Sequence, residues 1–277
     1  MVSYIRKFKG CEEQPTYSEY NRIDIKGDVS QWDSVPAGFI AYQNNTGDRD
    51  AKGYGSYYYT DNSGRNDIVL AQVAKDSENI YFMVKCADAV TPYTDKNWMN
   101  LYIDCSDGWG WESFDYVIGK KPAAANCVYL QSFTGNGYET ADVCELQYTV
   151  SGDTLVIAVP KASIGISGEE YKIDFKWTDN VQAEDGSGEF KGEILDFYRT
   201  GDCAPGGRFK YAFISKTPEN PTDTEITRPV TTDGTTTGEE TTVNTKNYTP
   251  VIIALAVGAV LVAAAILIPV IIKSKKK

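Results

Sequence analysis

The residues with the clearest chemical potential lie between positions 97 and 116, in the stretch NWMNLYIDCSDGWGWESFDY. Three of the five tryptophans of the chain and four carboxylates fall within it. Aromatic rings can stack on the C–H faces of sugars, which removes apolar area from water, and carboxylates can accept hydrogen bonds from sugar hydroxyls. The stretch therefore indicates a sugar-binding face, although an ordinary β-sandwich edge can have the same composition.

The elements that must position these residues are strands. Residues 99–104 alternate as a half-buried strand does, whereas residues 105–112 have the glycine, aromatic and acidic residues of a loop. No amphipathic helix of three turns is indicated. Short strands joined by glycine-rich connections predict an all-β fold, an antiparallel, jelly-roll-like β-sandwich. The other predicted strands cover residues 67–74, 80–86, 114–119, 146–150, 155–159, 171–177, 193–198 and 209–214.

Composition excludes several classes of function. The chain has 277 residues and no histidine, which excludes Ser-His-Asp and Cys-His catalysis, histidine-ligated zinc and histidine-ligated haem. The net charge of −11 argues against nucleic-acid binding, because that function requires a basic surface. The six cysteines form no C-x-x-C pair and leave both disulfides and free thiols open.

The C-terminal part of the chain predicts a membrane anchor. Residues 251–272 are uncharged and long enough to cross a bilayer at about 20 residues per span. The following KSKKK, at 273–277, is placed in the cytoplasm by the positive-inside rule. Residues 216–249 are rich in threonine and proline and lack apolar periodicity, which predicts a disordered stalk.

These observations predict the organisation of the whole chain. A folded domain over residues 17–215 lies outside the cell, and a single transmembrane helix over 250–272 holds it in the cell membrane. Residues 1–16 lack the apolar core of a signal peptide. We interpret them as a linker or the end of a missing upstream region, so that the chain is the C-terminal part of a larger exported protein.

Four segments of the folded region resemble family 9 carbohydrate-binding modules and their DOMON-like relatives. IDIKGDVSQW, at 23–32, is similar to their I-D-G-x-x-x-D-W opening, and DSENIYFMV, at 76–84, to their D-x-x-x-L-Y-x-x-V strand. MNLYID, at 99–104, matches a strand that ends in an acidic residue, and YKIDFKWTDN, at 171–180, resembles a late strand with an Asp/Asn turn. The resemblance departs at Lys26, at Gln31 and in the insertion 48–64.

The resemblance implies a sandwich that binds sugar chains or their ends between aromatic side chains, often with structural calcium and without catalysis. Trp32, Trp111 and Phe114 are predicted to be core residues. Hard oxygen ligands for calcium are available at Asp179, Asn180 and Asp185, without the spacing of an EF-hand loop. The predicted carbohydrate-binding residues are Trp98, Trp109, Trp177, Asn100, Asp104, Glu112 and Arg199.

Two other classes of function remain open beside polysaccharide or oligosaccharide binding. A glycosidase needs only paired carboxylates, such as Asp104 and Glu112, and therefore no histidine. A surface adhesin or assembly protein would bind another protein through aromatic loops, for example the tyrosine cluster at 54–59. A haem role of the DOMON type is disfavoured by the missing histidine.

Overall fold

The computed structural model describes residues 5, 7–10, 14–45, 49–53, 55–108, 110–218 and 224–225. Its main sheet has eleven strands, all antiparallel, so the predicted all-β antiparallel architecture is confirmed. Nearly all of the predicted stalk, and the whole of the predicted membrane helix and basic tail, lie outside the described residues. Within the described ranges, no helix is both long and apolar enough to cross a membrane.

Most of the strands predicted from the alternation of apolar and polar residues, between 67–74 and 209–214, are strands in the structure. The strand predicted over 193–198 was wrong, because Asp196–Arg199 is a helical turn. Other short helical segments occur at Val29–Trp32 and Lys161–Ile164. In chain order the strands are β1 Asn21–Arg22, β2 Gly38–Ile40, β3 Arg49–Lys52, β4 Tyr58–Asp61, β5 Ile68–Lys75, β6 Asn79–Cys86, β7 Asn100–Asp104, β8 Tyr116–Ile118, β9 Cys127–Phe133, β10 Thr140–Ser151, β11 Thr154–Pro160, β12 Tyr171–Asp179, β13 Asp202–Ala204, β14 Tyr211–Ser215 and β15 Thr224–Glu225.

The long strand β10 joins the two halves of the main sheet. Residues 140–147 pair with β9, whereas residues 148–151 pair with β11. The strand order is β13-β12-β7-β8-β9-β10-β11-β6-β5-β2, with β14 also on β12. The backbone N–H of Ile68 in β5 donates to Asp202 Oδ2 in β13 at 2.6 Å. The two ends of the path therefore approach each other, and the sandwich is nearly closed into a barrel.

Alternation along the strands separates two cores. In β7, Leu101 and Ile103 face the main core between the halves of the sheet, whereas Tyr102 faces outward. Outside β7 lies a second core, which we call the outer aromatic cluster. Its rings are 4.8 to 6.1 Å apart between centroids, and they belong to Tyr102, Trp111, Phe114, Phe133, Tyr138, Phe190 and Phe197.

The core predictions for three aromatic residues are confirmed. Trp32, Trp111 and Phe114 are all buried, Trp32 beside β6 and the other two in the outer aromatic cluster. The insertion at 48–64 contains the hairpin β3–β4, which docks through Arg49 onto the carbonyls of Tyr198 and Gly201. Among the described cysteines, Cys86, Cys105, Cys127, Cys144 and Cys203 are free thiols.

Candidate functional site

A cleft of about 570 Å³ opens at the start of β7. It includes Trp98 and Asn100, two of the predicted sugar-binding residues. Its other lining residues come from segments far apart in the sequence, which the pairing of β7 with β8 and β12 brings together. They are Tyr93, Thr94, Asp95, Lys96, Asn97, Gly119, Lys120, Pro122, Ala123, Tyr138, Glu189 and Phe190.

The aromatic wall of the cleft consists of Tyr93, Trp98, Tyr138 and Phe190. Trp98 is only 4% exposed; its Nε1–H donates to the carbonyl of Thr91 at 2.8 Å. It is therefore a fixed part of the wall with little free surface. Tyr93, Tyr138 and Phe190 are half-buried and retain free surface on the cleft side. These three rings were not predicted from the sequence to bind a ligand. Tyr93 and Tyr138 lie in turn-rich segments, where an aromatic residue can indicate a ligand-contacting surface.

The buried polar group of the cleft is the side chain of Asn100. Asn100 is 6% exposed, and its Oδ1 has no hydrogen-bond partner in the described part of the chain. A buried acceptor without a donor costs about 1–3 kcal/mol. A ligand that brings an O–H or N–H group to this end of β7 would therefore recover part of that free energy.

Strained backbone presents Trp98 to the cleft. Asn97 and Met99 on either side of it have φ angles of 51° and 41°, which non-glycine residues adopt at a cost of about 1–3 kcal/mol. The Asn97 side chain holds the opposite wall, because its Nδ2 donates to Gly188 O at 3.0 Å and its Oδ1 accepts from Phe190 N–H at 3.2 Å. The backbone N–H of Met99 donates to Asp179 Oδ1 at 3.0 Å.

Asp179 holds this strained segment in place by hydrogen bonding. It is completely buried, and Arg65 donates to it from Nε at 2.7 Å and from Nη2 at 3.1 Å. Burial raises the pKa of Asp179, while Arg65 and the Met99 N–H oppose that shift. Both oxygens of Asp179 are thus occupied by donors of the protein. Asp179, one of the predicted calcium ligands, thus positions the backbone beside Trp98.

The other two predicted calcium ligands also have protein partners. Asn180 Oδ1 accepts from Gln182 Nε2 at 2.8 Å, and Asp185 is an exposed residue that pairs with Lys191. Across the residues that the structure describes, no three or more Asp, Glu, Cys or His side chains are grouped so as to hold a metal ion. The structure therefore does not assemble these three residues into a calcium site, and calcium binding stays a prediction.

Four of the remaining predicted sugar-binding residues, Trp177, Arg199, Asp104 and Glu112, do not line the cleft. Trp177 is 0% exposed in the main core, and Arg199 is buried against Asp196, with Nε 3.1 Å from Oδ1. Asp104 pairs with Lys210 at 2.8 Å, and burial raises the pKa of its carboxyl against the effect of that lysine. Glu112 is exposed in the loop after β7, and Trp109 lies outside the described residues.

The cleft is thus lined by two of the predicted residues, Trp98 and Asn100, together with aromatic and charged residues that were not predicted from the sequence. Comparisons of the chain with protein-family models, with curated proteins and with solved structures found no match. The cleft at the start of β7 is therefore the feature on which a function can be proposed.

Proposed function

We propose that residues 17–215 form a non-catalytic carbohydrate-binding domain that takes a polysaccharide or oligosaccharide in the cleft. The observation that carries the proposal is the combination of three half-buried rings, Tyr93, Tyr138 and Phe190, with the unpaired buried amide oxygen of Asn100. Sugars present apolar C–H faces and O–H donors on the same small molecule. Both kinds of group thus find a counterpart in this cleft.

The size of the cleft fits this proposal. A volume of about 570 Å³ lies within the range of about 300–1,000 Å³ typical of small-molecule sites. Stacking contributes about 25 cal/mol per Å² of apolar area removed from water. Hydrogen bonds contribute less net free energy, but they select stereochemistry, because an unmatched buried polar group is costly.

We also propose that this domain is a jelly-roll-like sandwich of the family 9 type, displayed at a cell surface as part of a larger exported glycan-active protein. The four motif-like segments between 23 and 180 support the family assignment. The threonine-rich residues 216–249 and the uncharged residues 250–272 support display on a stalk with a single-pass anchor.

A carboxylate-dependent glycosidase is the second candidate. The observation in its favour is that two carboxylates, Asp95 and Glu189, line the same cleft. Catalysis by a carboxylate pair requires an acid and a base or nucleophile on either side of the glycosidic bond. Turnover of a chromogenic glycoside that is lost in Glu189→Gln would favour the enzyme, whereas binding without turnover would favour the binding domain.

Substitution of Tyr93 tests the binding proposal. We expect Tyr93→Ala to weaken binding of the best ligand in a glycan panel by about tenfold, because losing roughly 50–60 Å² of stacked area removes about 1.4 kcal/mol. Isothermal titration calorimetry measures this change. Tyr42→Ala is the matched control, since Tyr42 is 80% exposed and does not line the cleft. It should bind as the wild type does, and a folded wild-type protein that binds no glycan would contradict the proposal.

A further inference from the structure

The cleft contains two lysines, Lys96 and Lys120, whose ammonium groups form no ion pair with a carboxylate of the described residues. The neighbouring Lys121 illustrates the contrast, because its Nζ lies 2.6 Å from Asp142 Oδ2. The ammonium groups of Lys96 and Lys120 therefore remain available to an anionic group that enters the cleft.

Lys120 is the better placed of the two. Its Nζ lies 4.7 Å from the centroid of the Tyr138 ring and 3.1 Å from Thr140 Oγ1. Half-burial lowers the pKa of its ammonium group, and the carboxylate that opposes this shift is Glu139. Lys120 therefore forms a locally cationic end of the cleft, with its ammonium group over the Tyr138 ring.

A partly desolvated cation without an ion-paired carboxylate is stabilised by a ligand that supplies the opposite charge. We propose that the cleft prefers a sugar that carries an anionic group, a carboxylate or a sulfate ester, with that group beside Lys120 and a hydroxyl group directed toward Asn100. This inference rests on the proposed function and defines the chemical class of its ligand. The ring of such a sugar would lie between the two polar contacts.

The net charge of the chain, −11, does not oppose this preference at physiological salt. Charges separated by more than a Debye length of about 8 Å are largely screened at 0.15 M ionic strength. A contact inside a half-buried cleft is screened much less. The acidic surface more than a Debye length away therefore has little effect at the Lys120 end of the cleft.

Three oligosaccharides with one backbone test the inference: a uronate form, its carboxyl-reduced neutral form and a sulfated neutral form. Each is titrated calorimetrically into the full chain of 277 residues, in a mild detergent, as wild type, Lys120→Gln and Lys121→Gln. We expect at least one anionic form to bind the wild type about tenfold more tightly than the neutral form. Lys120→Gln should lose this preference, whereas Lys121→Gln, whose lysine lies outside the cleft, should keep it.

The outcomes separate the two proposals. Equal binding of neutral and anionic forms by the wild type, or a preference that survives Lys120→Gln, would overturn the inference and leave the proposed function intact. A folded protein that binds neither these sugars nor any other glycan would overturn both. The uronate and sulfate forms tell which anion the cleft accepts, and a preference for either one supports the inference.

Discussion

Replacement of Asp179 by alanine is expected to lower the free energy of unfolding by about 3–5 kcal/mol, the range for breaking a buried ion pair on one side. The substitution leaves the guanidinium of Arg65 without its carboxylate and the N–H of Met99 without its acceptor. Because Met99 has a φ of 41°, the segment that presents Trp98 should relax once that acceptor is gone. Glycan binding should therefore weaken even at temperatures where the variant is folded.

A double variant separates stability from positioning. Replacing both partners, as in Arg65→Met with Asp179→Leu, removes the unpaired charge, and such replacements are often close to neutral in stability. We expect the double variant to regain most of the unfolding free energy in urea titrations but not the glycan affinity, since Met99 still lacks its acceptor. Recovery of both quantities would show that Asp179 does not position the cleft.

The surface pair of Asp142 and Lys121 provides the matched control. Its atoms are as close as those of the buried pair, at 2.6 Å, but both side chains are at least 40% exposed. Exposed pairs contribute about 0–1 kcal/mol. Lys121→Ala, which leaves the hydrogen bond from Gln131 Nε2 to Asp142 in place, should therefore change the unfolding free energy by no more than about 1 kcal/mol and leave glycan binding unchanged.

The sequence predicted the strands well where apolar and polar residues alternate along them. In β6 and β12 this alternation located the strand, although residues 80–84 of β6 and 175–179 of β12 are buried on both faces. The same signal was present in β9, where Val128 and Leu130 face the main core, and it was missed. At 193–198 the alternation misled, because Phe197 fills the outer aromatic cluster from a helical turn rather than from a strand.

The candidate site was harder to predict, because its residues are grouped only by the fold. Trp98 and Asn100 stood out through their neighbours in the sequence, whereas Tyr138 and Phe190 reach the cleft from loops about 40 and 90 residues further along the chain. Trp177 lies on the apolar face of β12 and is buried in the main core. The number of tryptophans in the sequence therefore does not show which of them bind a ligand. The role of Asp179 depends on Arg65, 114 residues away.

Gly201 is expected to be among the least replaceable residues of the domain. It has a φ of 63°, and an added Cβ would overlap the carbonyl oxygen of Asp179 and come within 2.6 Å of the backbone nitrogen of Val181. Backbone atoms cannot move aside as a flexible side chain can, so Gly201→Ala must push the 179–181 backbone away from β13. We expect a loss of more than about 4 kcal/mol in unfolding free energy, measured in urea, with most of the purified protein misfolded.

Gly152→Ala is the control that isolates the steric contribution. Gly152 has nearly the same φ, 59°, but an added Cβ there meets no atom within 4 Å. Its replacement should lower the unfolding free energy by only about 1–2 kcal/mol, the cost of placing alanine in the left-handed conformation. If the two variants lose similar amounts, the close approach at Gly201 does not hold the Asp179 turn in place. A much larger loss at Gly201 would mean that the turn behind Met99, and with it the segment that presents Trp98, depends on a contact between two backbone segments that only glycine permits.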